Sequence, residues 1–422
     1  MSSSFLLQGG CVLTLGARTQ NHAQADVLIE DGLVAEVGAG LRSRRAEVID
    51  ASNAIVMPGF VDAHRRCRMS LFKNEGVGGS SPSRSETSPA DVYAGTLVSL
   101  LGAIEAGITT VVDWYDGPAS EEHLDAALRA HADSGLRTVF VVATGGLADV
   151  LARQGQDVSA NTRIAVGFSL SPDTGDAISS DWMAAREAGV RVHAIADSSG
   201  HDRLAELGRN NLLGPDVTVA HCIGLSEEEL DVLSGAAVGI ALTPTSDMTN
   251  GNAAPPMQAL LDRGIRPGLG VDDERLGAAD ILAQMRSAIS VQHATYFDLK
   301  LAGKGGLPNL LSTRDVIKYG TIDGAKAVGL ESVTGSIEVG KAADLIVVRT
   351  DRPNLHPVND PIGAVVWGMD TSNIDWVFVG GHPRLRNGVL DADVARVRQL
   401  VADARKPLNS GRAVTEASGG PA

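Results

Sequence analysis

A regular alternation of apolar runs and helical stretches constrains the fold of this chain more than any other feature. The apolar runs are rich in β-branched residues, and eight of them follow one another: Ile55–His64, Gly107–Trp114, Leu136–Thr144, Arg163–Ser171, Val190–Asp197, Asp216–Cys222, Ala236–Ser246 and Ile265–Asp273. Strands separated by helices run parallel, because each return to the sheet needs a crossover. Eight such units predict an α/β protein with a closed (β/α)8 TIM barrel. A doubly wound sheet is the weaker alternative, since the first strand is not followed by a GxGxxG turn.

Short β segments flank the barrel region on both sides. Asp31-Gly32 lies between two apolar runs, which is a hairpin pattern, and short strands with glycine turns return after residue 333. We therefore expect residues 1–57 plus 333–400 to form one composite small β-sandwich domain around a barrel of residues 58–332. Residues 401–422 are rich in Ser, Gly and Pro, and we expect a flexible C-terminal tail there.

Composition excludes several classes of function. The 51 acidic residues outnumber the 36 basic ones and give a net charge of −15, which disfavours nucleic-acid or anionic-membrane binding. No uninterrupted apolar stretch is long enough for a membrane span. The cysteines Cys11, Cys67 and Cys222 lie far apart, so neither a disulfide framework nor a zinc knuckle is expected. A cytoplasmic protein acting on a small molecule follows by default.

Four chemically versatile residues stand at or near the carboxyl ends of predicted barrel strands. His64 follows strand 1, His193 lies in strand 5, His221 ends strand 6 and Asp272 ends strand 8. Functional groups of TIM barrels gather at this end. A single histidine there is more often structural than a ligand, but four such residues together indicate a site. Three histidines and a carboxylate are a donor set of the zinc type.

Five sequence motifs carry a family resemblance. They are Pro58-Gly59-Phe60-Val61-Asp62-Ala63-His64, Ala220-His221-Cys222, Thr243-Pro244-Thr245-Ser246, Leu269-Gly270-Val271-Asp272 and Gly335–Leu345. In this order and spacing they resemble the amidohydrolase superfamily, and within it the cytosine deaminase and chlorohydrolase-like branch. The resemblance implies hydrolysis of a non-peptide C–N bond in a small organic substrate, by an amidohydrolase or deaminase reaction, and a homodimer.

The resemblance also implies roles for individual residues. In that branch two strand-1 histidines, a strand-5 histidine and the strand-8 aspartate hold one Zn or Fe ion, while the strand-6 histidine and a strand-5 glutamate assist the attacking water. His64, His193, His221 and Asp272 are retained here. The second strand-1 histidine is replaced by Arg66, and the glutamate by Ala196, with Asp197 beside it.

Arg66 changes what the site is expected to hold. Residues 64 and 66 project from the same side of a strand, so a guanidinium takes the place of a metal ligand. A guanidinium neither loses its proton nor ligates a cation. We therefore expect no cofactor, with Zn or Fe on His64, His193 and Asp272 as the alternative. Without metal, Arg66 pairs with Asp272 or binds a substrate carboxylate, and it stabilises an oxyanion.

The predicted site thus contains catalytic and substrate-binding residues. Arg66, His193, His221 and Asp272 are the catalytic candidates, and the substrate-binding candidates are Trp114, Tyr115, Asp197, Ser246 and Asp273. Two other functions stay open. One is a metal-independent lyase, isomerase or cyclase of secondary metabolism that uses Arg66 and the histidines for charge and proton transfer. The other is an inactive binding homologue, in which Arg66 and Asp272 form a salt bridge and nothing more.

Overall fold

The computed structural model of the protein describes residues 4–74, 87–143, 147–153, 159–170, 177–196, 202–250 and 253–410. Its strands, in chain order, are β1 (Phe5–Val12), β2 (His22–Glu30), β3 (Leu33–Gly38), β4 (Glu47–Asp50), β5 (Ala54–Pro58), β6 (Phe60–Arg65), β7 (Ile108–Tyr115), β8 (Arg137–Val142), β9 (Thr162–Ser169), β10 (Val192–Ala196), β11 (Val217–His221), β12 (Gly239–Leu242), β13 (Gly268–Leu269), β14 (Leu345–Arg349), β15 (Ile374–Val379), β16 (His382–Arg386) and β17 (Val389–Leu390).

The helices lie mainly between the strands from β6 to β14. They are α1 (Pro89–Glu105), α2 (Glu121–Ser134), α3 (Leu147–Arg153), α4 (Ala177–Glu187), α5 (Arg203–Arg209), α6 (Glu227–Gly235), α7 (Pro244–Thr249), α8 (Met257–Asp262), α9 (Ile281–Leu301), α10 (Thr313–Tyr319), α11 (Ile322–Ala327), α12 (Pro361–Gly363) and α13 (Val394–Ser410). A search of the described helices finds none long and apolar enough to cross a membrane.

Strands β6 to β13 form the predicted parallel barrel. Each strand pairs with the next in chain order. The first and last strands meet beyond their ends, where the Asp272 amide donates to the His64 carbonyl at 2.8 Å and the Arg66 amide donates to the Asp272 carbonyl at 2.9 Å. A side chain at Gly270 would place its Cβ 2.6 Å from the His64 carbonyl oxygen, so glycine permits this approach. The α/β barrel prediction is confirmed.

The first predicted barrel strand proves to be two strands. Residues Ile55–His64 were expected as one run, but Pro58 ends β5 in the small domain and Phe60 starts β6 in the barrel. Gly59 lies between them, and a Cβ at this position would be 2.1 Å from Cγ2 of Thr109. A continuous apolar run does not reveal such a change of sheet, because both strands are buried.

The composite β domain is built from one curved sheet. Hydrogen bonds join its nine strands in the order β17-β16-β15-β14-β5-β1-β2-β3, with β4 beside β1. The sheet curls until Val34 donates to the Lys341 carbonyl at 2.9 Å, next to the start of β14. Phe5, Val56 and Phe378 lie in the enclosed core. The small domain is confirmed, but one curled sheet provides both of the layers expected of a sandwich.

The predicted C-terminal tail begins as a helix. Residues 401–410 belong to α13, whereas residues 411–422 lie outside the described part of the chain. Val397, Leu400, Val401 and Ala404 are spaced by three and four residues, which is the pattern of an amphipathic helix. Leu400, Val401 and Ala404 pack in one cluster with Met69, Leu71 and Phe72, which follow β6. Burial of this apolar stripe stabilises the helix at the start of the expected tail.

Candidate active site

Three of the four predicted residues lie at the carboxyl ends of barrel strands, whereas His193 is the second residue of its strand. His64 lies near the end of β6, His193 within β10, His221 at the end of β11 and Asp272 just after β13. All four are buried, with 8% exposure or less. His221 and Asp272 both adopt left-handed backbone conformations, with φ of 67° and 58°. Such conformations cost non-glycine residues roughly 1–3 kcal/mol and are concentrated at functional sites.

Arg66 is the positively charged residue at the centre of this site. Its Nε donates to Oδ1 of Asp272 at 2.8 Å, and its Nη1 donates to Oδ2 of Asp116 at 2.7 Å. Burial opposes the charge of Arg66, but these two carboxylates outweigh it and raise the pKa of the guanidinium above its usual value. The side chain remains 25% exposed, so a small molecule in the barrel mouth can reach it.

Asp272 is fully engaged by its neighbours. Its Oδ2 accepts a hydrogen bond from Oγ of Ser246 at 2.6 Å, while Oδ1 faces Arg66. Nε2 of His64 lies 3.5 Å from the same Oδ1. Burial raises the pKa of this carboxyl, but Arg66 and His64 together hold the pKa of Asp272 well below its usual range. The carboxylate therefore stays charged and fixed at neutral pH.

His221 forms a dyad with Asp247. Nδ1 of His221 lies 2.7 Å from Oδ1 of Asp247 and 3.0 Å from Oγ1 of Thr243. Burial lowers the pKa of His221, but the bond to Asp247 and the charge of Asp272 outweigh burial and raise it. An acceptor at Nδ1 fixes the proton there, so Nε2 is the atom that exchanges a proton with a substrate or water.

Two imidazoles keep an unpaired nitrogen. Within the described part of the chain, neither the buried Nε2 of His193 nor that of His64 makes a hydrogen bond, although His64 keeps its 3.5 Å contact with Asp272. Burial is the main reason that the pKa of each histidine is lowered, most strongly for His193. Both rings are therefore neutral at pH 7. Unpaired buried nitrogens of this kind call for a ligand, because leaving them unsatisfied has a cost.

Possible metal ligands differ from the predicted set. Among the described residues, His64, His221 and Asp272 are grouped so that one ligand atom of each lies within 4.8 Å of the others. This group contains His221 in place of His193. The group does not fit a divalent ion well, since Arg66 already donates to the Asp272 oxygen that would ligate it. An ion on Asp272 Oδ1 would lie against a permanent positive charge.

Trp114 and Tyr115, both predicted to bind the substrate, face opposite sides of β7. Trp114 faces the site, with its ring centroid 5.7 Å from that of His64. Tyr115 does not reach the mouth: it is 1% exposed, and its hydroxyl donates to the Pro118 carbonyl at 2.9 Å. Successive residues of a strand face opposite sides, so Trp114 points into the barrel and Tyr115 toward the surrounding helices.

Ser246 and Asp273 serve neighbouring side chains. Ser246 holds Asp272, as described above, and Asp273 forms a salt bridge with Arg275 at 2.5 Å. Cys67 is buried in the core. Asp197 lies outside the described residues.

Sequence reasoning missed two aspartates. Asp116 follows β7 and holds both Arg66 and Arg68, whose Nε donates to its Oδ1 at 2.9 Å. Asp247 lies in the first turn of α7. Each comes shortly after the end of a predicted strand, which is the available signal, but many acidic residues share such positions.

Comparison with known proteins places the chain in a family. A model of the amidohydrolase family matches residues 55–384, so this chain belongs to the amidohydrolase family.

Individual relatives refine the comparison. The 5-methylthioadenosine/S-adenosylhomocysteine deaminase of Pyrococcus furiosus is 30% identical over 407 residues, covering 86% of this chain and 91% of that protein. The 5'-deoxyadenosine deaminase of Methanosarcina mazei is 26% identical over 453 residues, covering 98% of each chain.

Solved structures agree on the fold. An adenosine deaminase from Xanthomonas campestris with bound zinc has a TM-score of 0.83 at 19% identity and covers 97% of this chain and 99% of its own. The zinc complex of atrazine chlorohydrolase from Arthrobacter aurescens has a TM-score of 0.80 at 22% identity and covers 95% of this chain and 99% of its own. The family model and the curated deaminases confirm the predicted deaminase-like branch and an enzyme of the class that hydrolyses C–N bonds. The solved structures confirm the fold.

Proposed function

We propose that this protein hydrolyses a non-peptide C–N bond of a small organic substrate without a metal ion, with the Arg66 guanidinium as the fixed positive charge of the site. The observation that carries the proposal is the 2.8 Å contact between Arg66 Nε and Asp272 Oδ1. A guanidinium held there supplies a positive charge at the group where the resemblance expects a metal. It stabilises developing negative charge without reorganising during the reaction.

Proton transfer falls to His221. With its Nδ1 proton held by Asp247 at 2.7 Å, Nε2 accepts a proton from water as the water oxygen attacks the substrate carbon. The same nitrogen then returns that proton to the departing amine. Arg66 cannot lower the pKa of water as a zinc ion does. General base catalysis must therefore provide a larger share of the reduction in the activation barrier.

The substrate is proposed to be a flat, amino-substituted heterocycle. Trp114 offers an aromatic wall beside His64, with the two rings 5.7 Å apart. The curated relatives are named as deaminases of adenosine derivatives, which makes aminopurine nucleosides the first compounds to test. The exposed quarter of Arg66 adds a preference for a substrate that carries a carboxylate or another anionic group.

Metal analysis combined with an ammonia-release assay tests this proposal. The protein is purified without chelators, its zinc and iron are quantified, and aminopurine nucleosides and amino-substituted heterocyclic acids are then supplied. We expect far less than one metal ion per chain, and ammonia release that survives a chelator. Arg66→Gln removes the charge and should abolish turnover, whereas Arg66→Lys keeps the charge and should retain part of it. About one zinc per chain together with chelator-sensitive turnover would refute the metal-free site.

A second candidate is a metal-independent lyase, isomerase or cyclase. It is favoured by the unpaired Nε2 atoms of His64 and His193, because neutral imidazoles accept protons without needing an activated water. Turnover in 18O-labelled water separates the two candidates. Hydrolysis places the label in the product, whereas elimination, isomerisation or cyclisation does not. A protein that binds these compounds in the same assays but turns none over is the inactive homologue.

The proposal includes a homodimer in the cytoplasm. The family resemblance supports the dimer, and the wide spacing of Cys11, Cys67 and Cys222, all free in the structure, supports a reducing compartment. Sedimentation at micromolar concentration measures the oligomeric state directly. A monomer under these conditions contradicts the dimer and leaves the chemistry of the site unaffected.

A further inference from the structure

A cavity opens at the end of the barrel opposite to the candidate active site. Its volume is about 560 Å³, and its lining includes Thr162, Arg163, Arg191 and Asp216. Thr162 is the first residue of β9, and Arg191 and Asp216 immediately precede β10 and β11. The cavity therefore lies at the amino ends of the strands. His221 and Asp272 lie at the carboxyl ends, so neither site contains residues of the other.

Four arginines line this cavity, although the chain as a whole is acidic. Two of them are neutralised. Arg186 binds both oxygens of Asp216 at 2.6 and 3.1 Å, and Arg153 pairs with Asp125 at 2.5 Å. The other two, Arg163 and Arg191, form no salt bridge with any residue that the structure describes. The cavity thus has an excess of positive charge.

Arg191 is a partly buried cation without a carboxylate partner. It donates to neutral oxygens only: Oγ1 of Thr218 at 2.9 and 3.2 Å, and the Pro215 and Ala327 carbonyls at 3.0 and 2.9 Å. Burial, with a contribution from the nearby Arg163, lowers its pKa to about 10. Asp216 and Glu331 lie near enough to oppose this shift of the pKa, but neither forms a salt bridge with the guanidinium, so its charge is only partly compensated.

Arg163 is free to move onto a ligand. It is exposed, and its side chain makes no hydrogen bond or ion pair within the described residues. It lies on the same strand as Ala165, two residues away, so both side chains project from the same side. Ala165 belongs to the apolar layer inside the barrel, so Arg163 also points toward the barrel axis, at its lower rim.

Part of the cavity lining is apolar, and it adjoins the arginines. Val139, Val190 and Val328 form this part and are nearly inaccessible to solvent. A ligand that fits this cavity therefore has an anionic part and an apolar part. We propose that this cavity binds a small organic phosphate, with the phosphate on Arg163 and Arg191 and the organic part against the three valines. Guanidinium groups match phosphate oxygens in charge and in paired geometry.

Isothermal titration calorimetry with inorganic pyrophosphate and with adenosine 5'-monophosphate tests this proposal on the full chain at constant ionic strength. We expect saturable binding of one ligand per chain. Adenosine 5'-monophosphate should bind more tightly than pyrophosphate, because its organic part contacts the apolar lining. Arg163→Ala should weaken the affinity for either ligand at least about tenfold, because a charge-assisted contact is lost. No saturable binding of either compound up to 10 mM, on the order of the weakest useful affinity, overturns the proposal.

Two control variants locate the bound anion. Arg209→Ala removes the same charge from an exposed salt bridge with Glu228 and should leave the affinity unchanged. Arg66→Gln removes the positive charge of the barrel mouth and should also leave it unchanged. If Arg66→Gln abolishes binding and Arg163→Ala does not, the anion occupies the candidate active site and the cavity proposal is wrong. This experiment measures binding and not turnover. A failure of the cavity proposal is therefore distinguishable from a failure of the proposed hydrolysis.

Discussion

At the residue scale, Arg66 determines what the surrounding groups can do. It donates to Oδ1 of Asp272 while Ser246 donates to Oδ2, so both oxygens of this carboxylate already accept a hydrogen bond. Asp272 then acts as a fixed counter-charge. The group left to move protons is His221, which is oriented by Asp247 and is protonated more readily than a free imidazole.

Asp247→Asn tests the dyad. The change removes the charge that orients the Nδ1 proton, so we expect kcat to fall by about 10²–10⁴-fold with little change in KM. Steady-state kinetics on the substrate found by the ammonia-release assay measures both constants. Asp231→Asn, an exposed carboxylate paired with Arg263, is the matched control and should leave kcat unchanged. A loss confined to thermal stability, with kcat retained, would assign Asp247 a structural role.

The sequence revealed the residues that belong to strands but not their loop partners. His64, His193, His221 and Asp272 were predicted from their positions in barrel strands, and all but His193 lie at the carboxyl ends. Asp116 and Asp247 were not, because an aspartate after a strand end has no local pattern that sets it apart. His221 joins His64 and Asp272 because it ends β11, whereas His193 lies at the start of β10, and the sequence does not define these strand boundaries.

At the element scale, a buried ion network fixes β6 against the segment after β13. Arg65 is fully buried and donates to Oδ2 of Asp62 at 2.6 Å and to Oε1 of Glu274 at 2.8 Å. Lys73 approaches Oε2 of Glu274 at 2.5 Å. Burial raises the pKa of Glu274, but Arg65 and Lys73 outweigh it and lower the pKa from 4.5 to about 2.

Glu274→Gln should reveal the contribution of this network through its pH dependence. A carboxyl with a depressed pKa stabilises the fold above its unfolded pKa of 4.5, and this stability is lost as the pH falls toward about 2. At pH 7 we expect a loss on the order of 3 kcal/mol in the free energy of unfolding, shrinking below pH 4.5. Urea denaturation at pH 7 and at pH 4 measures it.

Glu228→Gln is the matched control for this experiment. Glu228 is 63% exposed and pairs with the equally exposed Arg209, so its loss should cost about 0.5 kcal/mol or less. A difference between wild type and Glu274→Gln that stays constant from pH 7 to pH 4 would contradict the role assigned to the Glu274 charge.

Element boundaries were the least predictable part of the fold. The run Ile55–His64 hides a change of sheet at Gly59, since both halves are equally apolar. The helix α13 was missed because the Ser, Gly and Pro residues near the C-terminus obscured the apolar stripe from Val397 to Ala404. By contrast, the order of the eight barrel strands follows from crossover connections alone.

At the scale of the whole molecule, the two domains are joined by a buried ion pair. Arg137 starts β8 in the barrel, and its Nε and Nη2 donate to the two oxygens of Asp344 at 2.6 and 3.1 Å. Asp344 immediately precedes β14 in the small domain, and its side chain is fully buried. It also accepts a hydrogen bond from the Gly380 amide at 2.7 Å. The sequence predicted a composite domain, but not which residues anchor it to the barrel.

Arg137→Leu should destabilise the protein strongly. It leaves the buried Asp344 carboxylate without its counter-charge, at an expected cost of about 3–5 kcal/mol in the free energy of unfolding. The double variant Arg137→Leu/Asp344→Asn removes the uncompensated charge and should recover part of that loss. Guanidinium denaturation of both variants measures the coupling. A single-variant loss below about 1 kcal/mol would show that the pair does not anchor the domains.

The central claim is that Arg66, and not a metal ion, provides the positive charge of this site. A crystal structure of the protein grown with millimolar zinc, with anomalous data collected at the zinc absorption edge, tests it most directly. We predict that the Arg66 guanidinium lies on Asp272 and that no anomalous peak appears between His64, His221 and Asp272. A zinc peak bound to these residues, with Arg66 displaced from Asp272, would contradict the claim.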